Sequence, residues 1–231
     1  MFITFEGMDG SGKTTQLQHL AAALRENGYH VITTREPGGT PLGDRVRSLL
    51  LDKADDPAPM DRRAELLLFC ASRAQLVHEV IRPHLAQGGI VLCDRYIDSS
   101  LAYQGFGLGI DLDVLQTLLE FATGGLLPDL TLYLDISPEE GLRRRAAASL
   151  FGEEFNRIDD LELDYHQRVY EGYQWVQAQA GDRWHPIDAR QTPEQIQPQV
   201  LQAVEVRLKA HGIQPSTSVR KRRTRQTRSG S

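Results

Sequence analysis

A doubly wound α/β fold, a parallel sheet flanked by helices, is what this sequence predicts, on three observations. Short apolar runs alternate with longer segments of helical periodicity. One of those runs, Ile90-Val91-Leu92-Cys93, is apolar throughout, as a strand covered on both faces requires. The first run leads into Gly7-Met8-Asp9-Gly10-Ser11-Gly12-Lys13-Thr14, which satisfies G-x-x-x-x-G-K-[ST] in a strand, loop and helix context.

The elements follow in order. Phe2 to Phe5 is the first strand, and Thr14 to Glu26 is a helix with Leu17, Leu20, Ala21 and Leu24 on one face and Asn27-Gly28 as its stop. Val31 to Thr34 is a second strand, broken by Pro37-Gly38-Gly39. A helix from about Gly43 to Leu51 precedes the loop at Pro57 and Pro59. Residues 61 to 87 are helical, with a kink expected at Pro83 and a stop at Gly88-Gly89. After the strand at 90–93, Gln104 to Gly109 reads as a glycine-rich loop and 111–122 as a helix. Leu130 to Ile136 is a strand, and Ser137-Pro138-Glu139-Glu140 supplies an N-cap, a first-turn proline and a capping-box glutamate. Leu161 to Ala178 is helical and Trp184 to Ile187 is the last strand. Thr192 opens a final helix whose extent Pro198 leaves undecided.

A chain of 231 residues has room for one large α/β domain, or at most two small ones. Strand and helix alternation favours one domain over 1–211. No apolar run reaches the roughly 18 residues of a membrane span. MFITFEG lacks the features of a signal peptide, and two cysteines, Cys70 and Cys93, are too few for a disulfide framework, so a reducing cytoplasm is expected. The net charge of −5 is uneven: residues 212–231 carry six basic side chains and no acid, leaving the body at −11. An acidic body argues against a nucleic-acid-binding face, and the basic segment reads as a disordered, solvated tail.

The glycine string carries chemistry. Its backbone N–H groups and the following helix N-terminus can cradle phosphates, Lys13 can bridge the β and γ phosphates, and the Thr14 hydroxyl can ligate Mg²⁺. Gly7, Met8, Asp9, Gly10, Ser11, Gly12, Lys13, Thr14 and Thr15 are thus candidate nucleotide contacts. Neither asparagine, Asn27 or Asn156, is followed by lysine, so the N-K-x-D base reader of a guanine-nucleotide switch is missing. ATP remains the favoured nucleotide.

Four further stretches follow: Thr34-Arg35-Glu36-Pro37-Gly38-Gly39-Thr40, Phe69-Cys70-Ala71-Ser72-Arg73, Cys93-Asp94-Arg95-Tyr96, and Ser99 to Gly105. Ligands of open parallel sheets bind at strand carboxyl ends, so these stretches are expected near Lys13. With Pro128 to Asp135 (PDLTLYLD), this series resembles the thymidylate kinase family, over about residues 2 to 210. The resemblance implies a P-loop nucleoside monophosphate kinase architecture, transfer from ATP with Mg²⁺ to dTMP, and a homodimer. Phe69 would supply an aromatic face for thymine and Arg73 a donor to its O4, with Ser100 and Gln104 completing the rim. By the resemblance Tyr103 fills the space of a 2′-hydroxyl and Asp9 accepts from the 3′-hydroxyl. Arginine's planar fork suits a phosphate dianion, and Arg95 leads, with Arg35 and Arg47 behind it. Asp94 would organise the metal's waters or the acceptor, and Glu36 would orient arginines or those waters.

Some relatives carry an arginine just after the loop aspartate. Here that position is Gly10, so the catalytic arginine is expected from a lid at about 143–158. Arg157 matches the family's lid element and stands ahead of Arg144 or Arg145. Arg143, Arg144 and Arg145 point in different directions on a helix, so at most two of them can face a site.

Overall fold

The computed structural model describes residues 1–51, 60–149 and 162–215. Its five strands are β1 (Phe2–Glu6), β2 (Val31–Arg35), β3 (Ile90–Asp94), β4 (Leu130–Asp135) and β5 (Trp184–Asp188). They form one all-parallel sheet in the order β2-β3-β1-β4-β5. The central strands are buried along most of their length, which is why β3 reads as an unbroken apolar run up to Asp94 and β1 as an apolar run broken by Thr4 alone before Glu6. Pro186 lies on β5, an edge strand, where a residue that cannot donate to the ladder is tolerated.

Helices cover this sheet. Helix α1 (Lys13–Glu26) buries Leu17, Leu20, Ala21 and Leu24, and packs beside the last helix, α9 (Pro193–Ala210). Between them in sequence come α2 (Pro41–Leu51), α3 (Arg62–Leu76), α4 (Arg82–Ala86), α5 (Ile97–Ser100), α6 (Leu112–Thr123), α7 (Pro138–Ser149) and α8 (Leu163–Ala180). Pro198 does not interrupt α9, which begins with a complete Thr192–Gln195 capping box.

Two local expectations change. The kink expected at Pro83 is instead a widened π turn over Val77–Ile81, joining α3 to α4. Pro83 has no N–H to donate and its ring crowds the carbonyl four residues back, so the helix widens before it. The glycine-rich stretch from Gln104 is not a loop from its start: Leu101–Gly107 is π-helical and continues α5. Its glycines serve packing. A Cβ on Gly107 would stand 2.7 Å from the Tyr165 ring, and one on Gly105 2.9 Å from Leu112. This segment packs closely on α8 and α6, and so carries Tyr103 and Gln104 on a rigid support.

Candidate active site

The carboxyl ends of β1, β2 and β3 lie side by side, and the segments leaving them build two adjoining cavities. The loop after β1 begins the first. Lys13 folds back so that its Nζ donates to the Met8 carbonyl at 2.8 Å and to Ser11 Oγ at 3.5 Å. Burial, and then the charge of Arg95, bring its ammonium down to about 8, against the pull of Asp9, Asp94 and Glu6. The Thr14 hydroxyl donates to Asp94 Oδ2, so two hard oxygen ligands from β3 and the first turn of α1 stand together. Asp9, Gly10, Gly12, Lys13, Thr14 and Thr15 line this cavity, the larger of the two. Gly7, Met8 and Ser11 do not line it. They shape the loop from behind, with Met8 and Ser11 buried.

Arg95 follows β3 in the left-handed region, at φ 71°, a conformation uncommon outside glycine. It is held there by many contacts. Its N–H donates to Phe5 O at 2.9 Å, and its guanidinium pairs with Asp9 at 2.7 Å. The same side chain donates to Gly7 O, Ser99 Oγ, Tyr173 Oη and Tyr103 Oη, and its fork stacks 4.9 Å from the centre of the Tyr103 ring. Tyr103 Oη also donates to Asp9 Oδ2 at 2.9 Å. Burial would raise the Asp9 carboxyl, but Arg95 and Lys13 overcome it and hold the group far below the usual range.

The second cavity, about 580 Å³, lies between α3 and the helical stretch after β3. Phe69, half-buried, lines it with Arg73, Ser100, Tyr103 and Gln104. Arg73 is 1% exposed and donates from Nε and Nη2 to Glu36 Oε2 at 2.8 and 2.6 Å, and from Nη2 to Tyr96 O and Ser100 Oγ. Two buried polar atoms of this pair, Arg73 Nη1 and Glu36 Oε1, have no hydrogen-bond partner among the described residues. Groups so placed are costly unless a ligand completes them. Asp9, Glu36, Arg47 and Arg95 line both cavities, so the two are joined at a charged waist.

A model of the thymidylate kinase family matches residues 5–200. The chain belongs to the thymidylate kinase family. It is 53% identical over 215 residues to the thymidylate kinase of Roseiflexus castenholzii, covering 89% of this chain and 93% of that one. With the thymidylate kinase of an Exiguobacterium species it shares 48% over 214 residues, covering 93% and 98%. The crystal structure of thymidylate kinase from Ehrlichia chaffeensis matches with a TM-score of 0.69 at 35% identity, covering 88% of this chain and 98% of that one. As a thymidylate kinase, the chain phosphorylates dTMP to dTDP.

Within this kinase, most residues predicted from sequence meet at the joined cavities. Arg35 and Arg47 line the larger cavity, and Arg47 also donates to Pro37 O at 3.1 Å. Glu36 forms a buried ion pair with Arg73 at 2.6 Å. Arg144 and Arg145 line the larger cavity, whereas Arg143 is exposed and paired with Glu140. Arg144 also pairs with Glu140, at 2.7 Å, and donates to Ala189 O at 2.8 Å. Arg157 and most of the expected lid lie outside the described residues, as does the basic segment from residue 216.

Sequence reasoning missed the layer beneath Arg95. Glu6 Oε1 accepts from the Tyr96 N–H at 2.7 Å, and Oε2 accepts from Ser99 Oγ and Tyr173 Oη. Burial and the neighbouring Asp98 carboxylate raise Glu6 to about 7. The available signal was a carboxylate ending a mostly apolar strand, since a buried acid demands partners. Which partners they are, the sequence does not say.

Proposed function

We propose that this thymidylate kinase holds ATP and Mg²⁺ in the larger cavity and dTMP in the smaller one, and transfers the γ-phosphoryl group in line between them. The phosphate loop, with Lys13, binds and orients the donor phosphates. The paired oxygens of Thr14 and Asp94 fit Mg²⁺ binding, directly or through its waters. Among the described residues there is no cluster of three or more His, Cys, Asp and Glu for a metal, in keeping with an ion held largely by phosphates. Mg²⁺ supplies charge neutralisation on those phosphates when bound.

Arg95 and Arg47, at the waist, offset the charge of the acceptor phosphate as it approaches the donor. No general base is needed, because the attacking phosphate oxygen is already ionised. Arg144, Arg145 and Arg157 are the arginines assigned to the transferring group, a role worth on the order of 10³ or more in rate. Phe69 stacks on the thymine, Arg73 donates to its O4, Ser100 and Gln104 complete the rim, and Tyr103 with Asp9 bounds the sugar. Among the described residues no helix is long and apolar enough to cross a membrane, and the reading places the enzyme in the cytoplasm as a homodimer.

One observation carries this reading: the cavity holding Phe69 and Arg73 opens onto the one holding Lys13 through four shared charged residues. The test is a panel of dTMP, dUMP, dCMP and dGMP against wild type and Phe69→Ala, following ADP formation. Wild type is expected to turn over dTMP best. Phe69→Ala is expected to raise the KM for dTMP by about tenfold, the loss of one aromatic stacking surface. An unchanged acceptor preference would remove the base from this cavity.

A further inference from the structure

Glu65, Phe69 and Arg73 follow one another at intervals of four on α3 and so form a stripe along one side of the helix. Phe69 and Arg73 line the smaller cavity. Glu65 does not: it is buried behind it, 3% exposed, with Oε1 3.2 Å from Gln104 Nε2. We infer that Glu65 is a positioning residue for base selection, fixing which end of the Gln104 amide faces the acceptor base.

An amide side chain has two ends of nearly equal shape and opposite hydrogen-bonding sense. A carboxylate offers acceptors alone, so it is satisfied by the amide nitrogen and repelled by the amide oxygen. The orientation of Gln104 therefore follows from the chemistry of its neighbour. Glu65 lies in the first turn of α3, where the helix N-terminus favours a negative charge. With its nitrogen committed to Glu65, Gln104 presents its carbonyl oxygen to the cavity. That oxygen accepts from the N3–H of a thymine or uracil ring. Cytosine carries a lone pair at N3, and its 4-amino group also meets the Arg73 donor, so it is refused at two points.

This inference rests on the smaller cavity being the base pocket. Its test is the ratio of kcat/KM for dTMP over dCMP, measured on one preparation so that the active fraction cancels. Glu65→Gln offers both a donor and an acceptor to Gln104 and so frees the amide to turn. The dTMP/dCMP ratio is expected to fall by about fivefold or more, the scale of one neutral hydrogen bond. The dTMP/dUMP ratio is expected to stay unchanged, because uracil presents the same N3–H. In a Gln104→Leu background, Glu65→Gln is expected to have no further effect on either ratio. The inference is overturned if Gln104→Leu lowers the dTMP/dCMP ratio but Glu65→Gln does not, or if the effect of Glu65→Gln persists without Gln104. If Phe69→Ala and Gln104→Leu both leave acceptor preference intact, the base-pocket reading itself fails, and this inference with it.

Discussion

Lys13 shows how a local motif acquires a tuned charge. Its sequence neighbours predict it to be a phosphate ligand, but its ionisation is set by burial and by Arg95, which arrives from β3. Lowered to about 8 in the free protein, the ammonium is charged below that pH and loses its proton above it. Polyphosphate binding favours the charged form. ATP affinity is therefore expected to be level from pH 7 toward 8, then to weaken by up to about tenfold per pH unit above it. Titrating ATP between pH 7 and 9.5 checks this, with Lys13→Arg as the comparison whose charge does not change. A level profile in the wild type would mean that Lys13 is not the group setting affinity.

At the scale of elements, α7 and the phosphate loop touch through two glycines. Gly10, at φ 78°, would place a Cβ 2.4 Å from the Gly141 carbonyl, and a Cβ on Gly141 would stand 2.7 Å from Asp9 O. This explains in physical terms why position 10 carries no arginine in this chain: a side chain there would collide with the backbone of α7. The same contact holds the helix bearing Arg144 against the loop bearing Lys13. Gly141→Ala is expected to push the two apart, lowering kcat/KM for ATP by about tenfold, on the scale of 1–3 kcal/mol for overpacking. Steady-state kinetics with a melting curve separate this local effect from global loss of stability. Wild-type kinetics in the variant would show that α7 yields without disturbing the loop. The helical run at 61–87 and the strands around it were legible because their periodicity is local. The π-helical path of Leu101–Gly107 was not, since glycines chosen for close packing look in sequence like glycines chosen for a turn.

Across the whole molecule, the outer faces of α3 and α6 carry apolar side chains that the fold leaves uncovered: Leu67 is 55%, Val114 54% and Phe121 86% exposed. Helices α3 and α6 are in contact, so these side chains belong to neighbouring elements. Exposed apolar groups on adjoining elements suit an interface between copies of the chain. We assign the proposed homodimer to this face. Phe121→Glu is expected to shift the protein toward monomer in analytical ultracentrifugation, because it places a charge on the face assigned to the contact. A dimer unchanged by Phe121→Glu would direct the search to another surface.

The sequence by itself determined the parallel α/β architecture, the phosphate loop and the family. Each is written in contiguous residues: apolar runs, an unbroken glycine string, and short motifs in a recognisable order. Tertiary structure alone decided which side chains meet. The bond from Tyr173 to Glu6 spans 167 positions and that from Arg95 to Asp9 spans 86. Glu65 reaches Gln104 across 39 positions, and Gly10 meets Gly141 from a different helix. Local periodicity and motif spacing report what a segment becomes. They are blind to the partner that a buried charge or a missing Cβ finds on another segment, because that choice is made by the topology of the sheet and the packing of the helices on it.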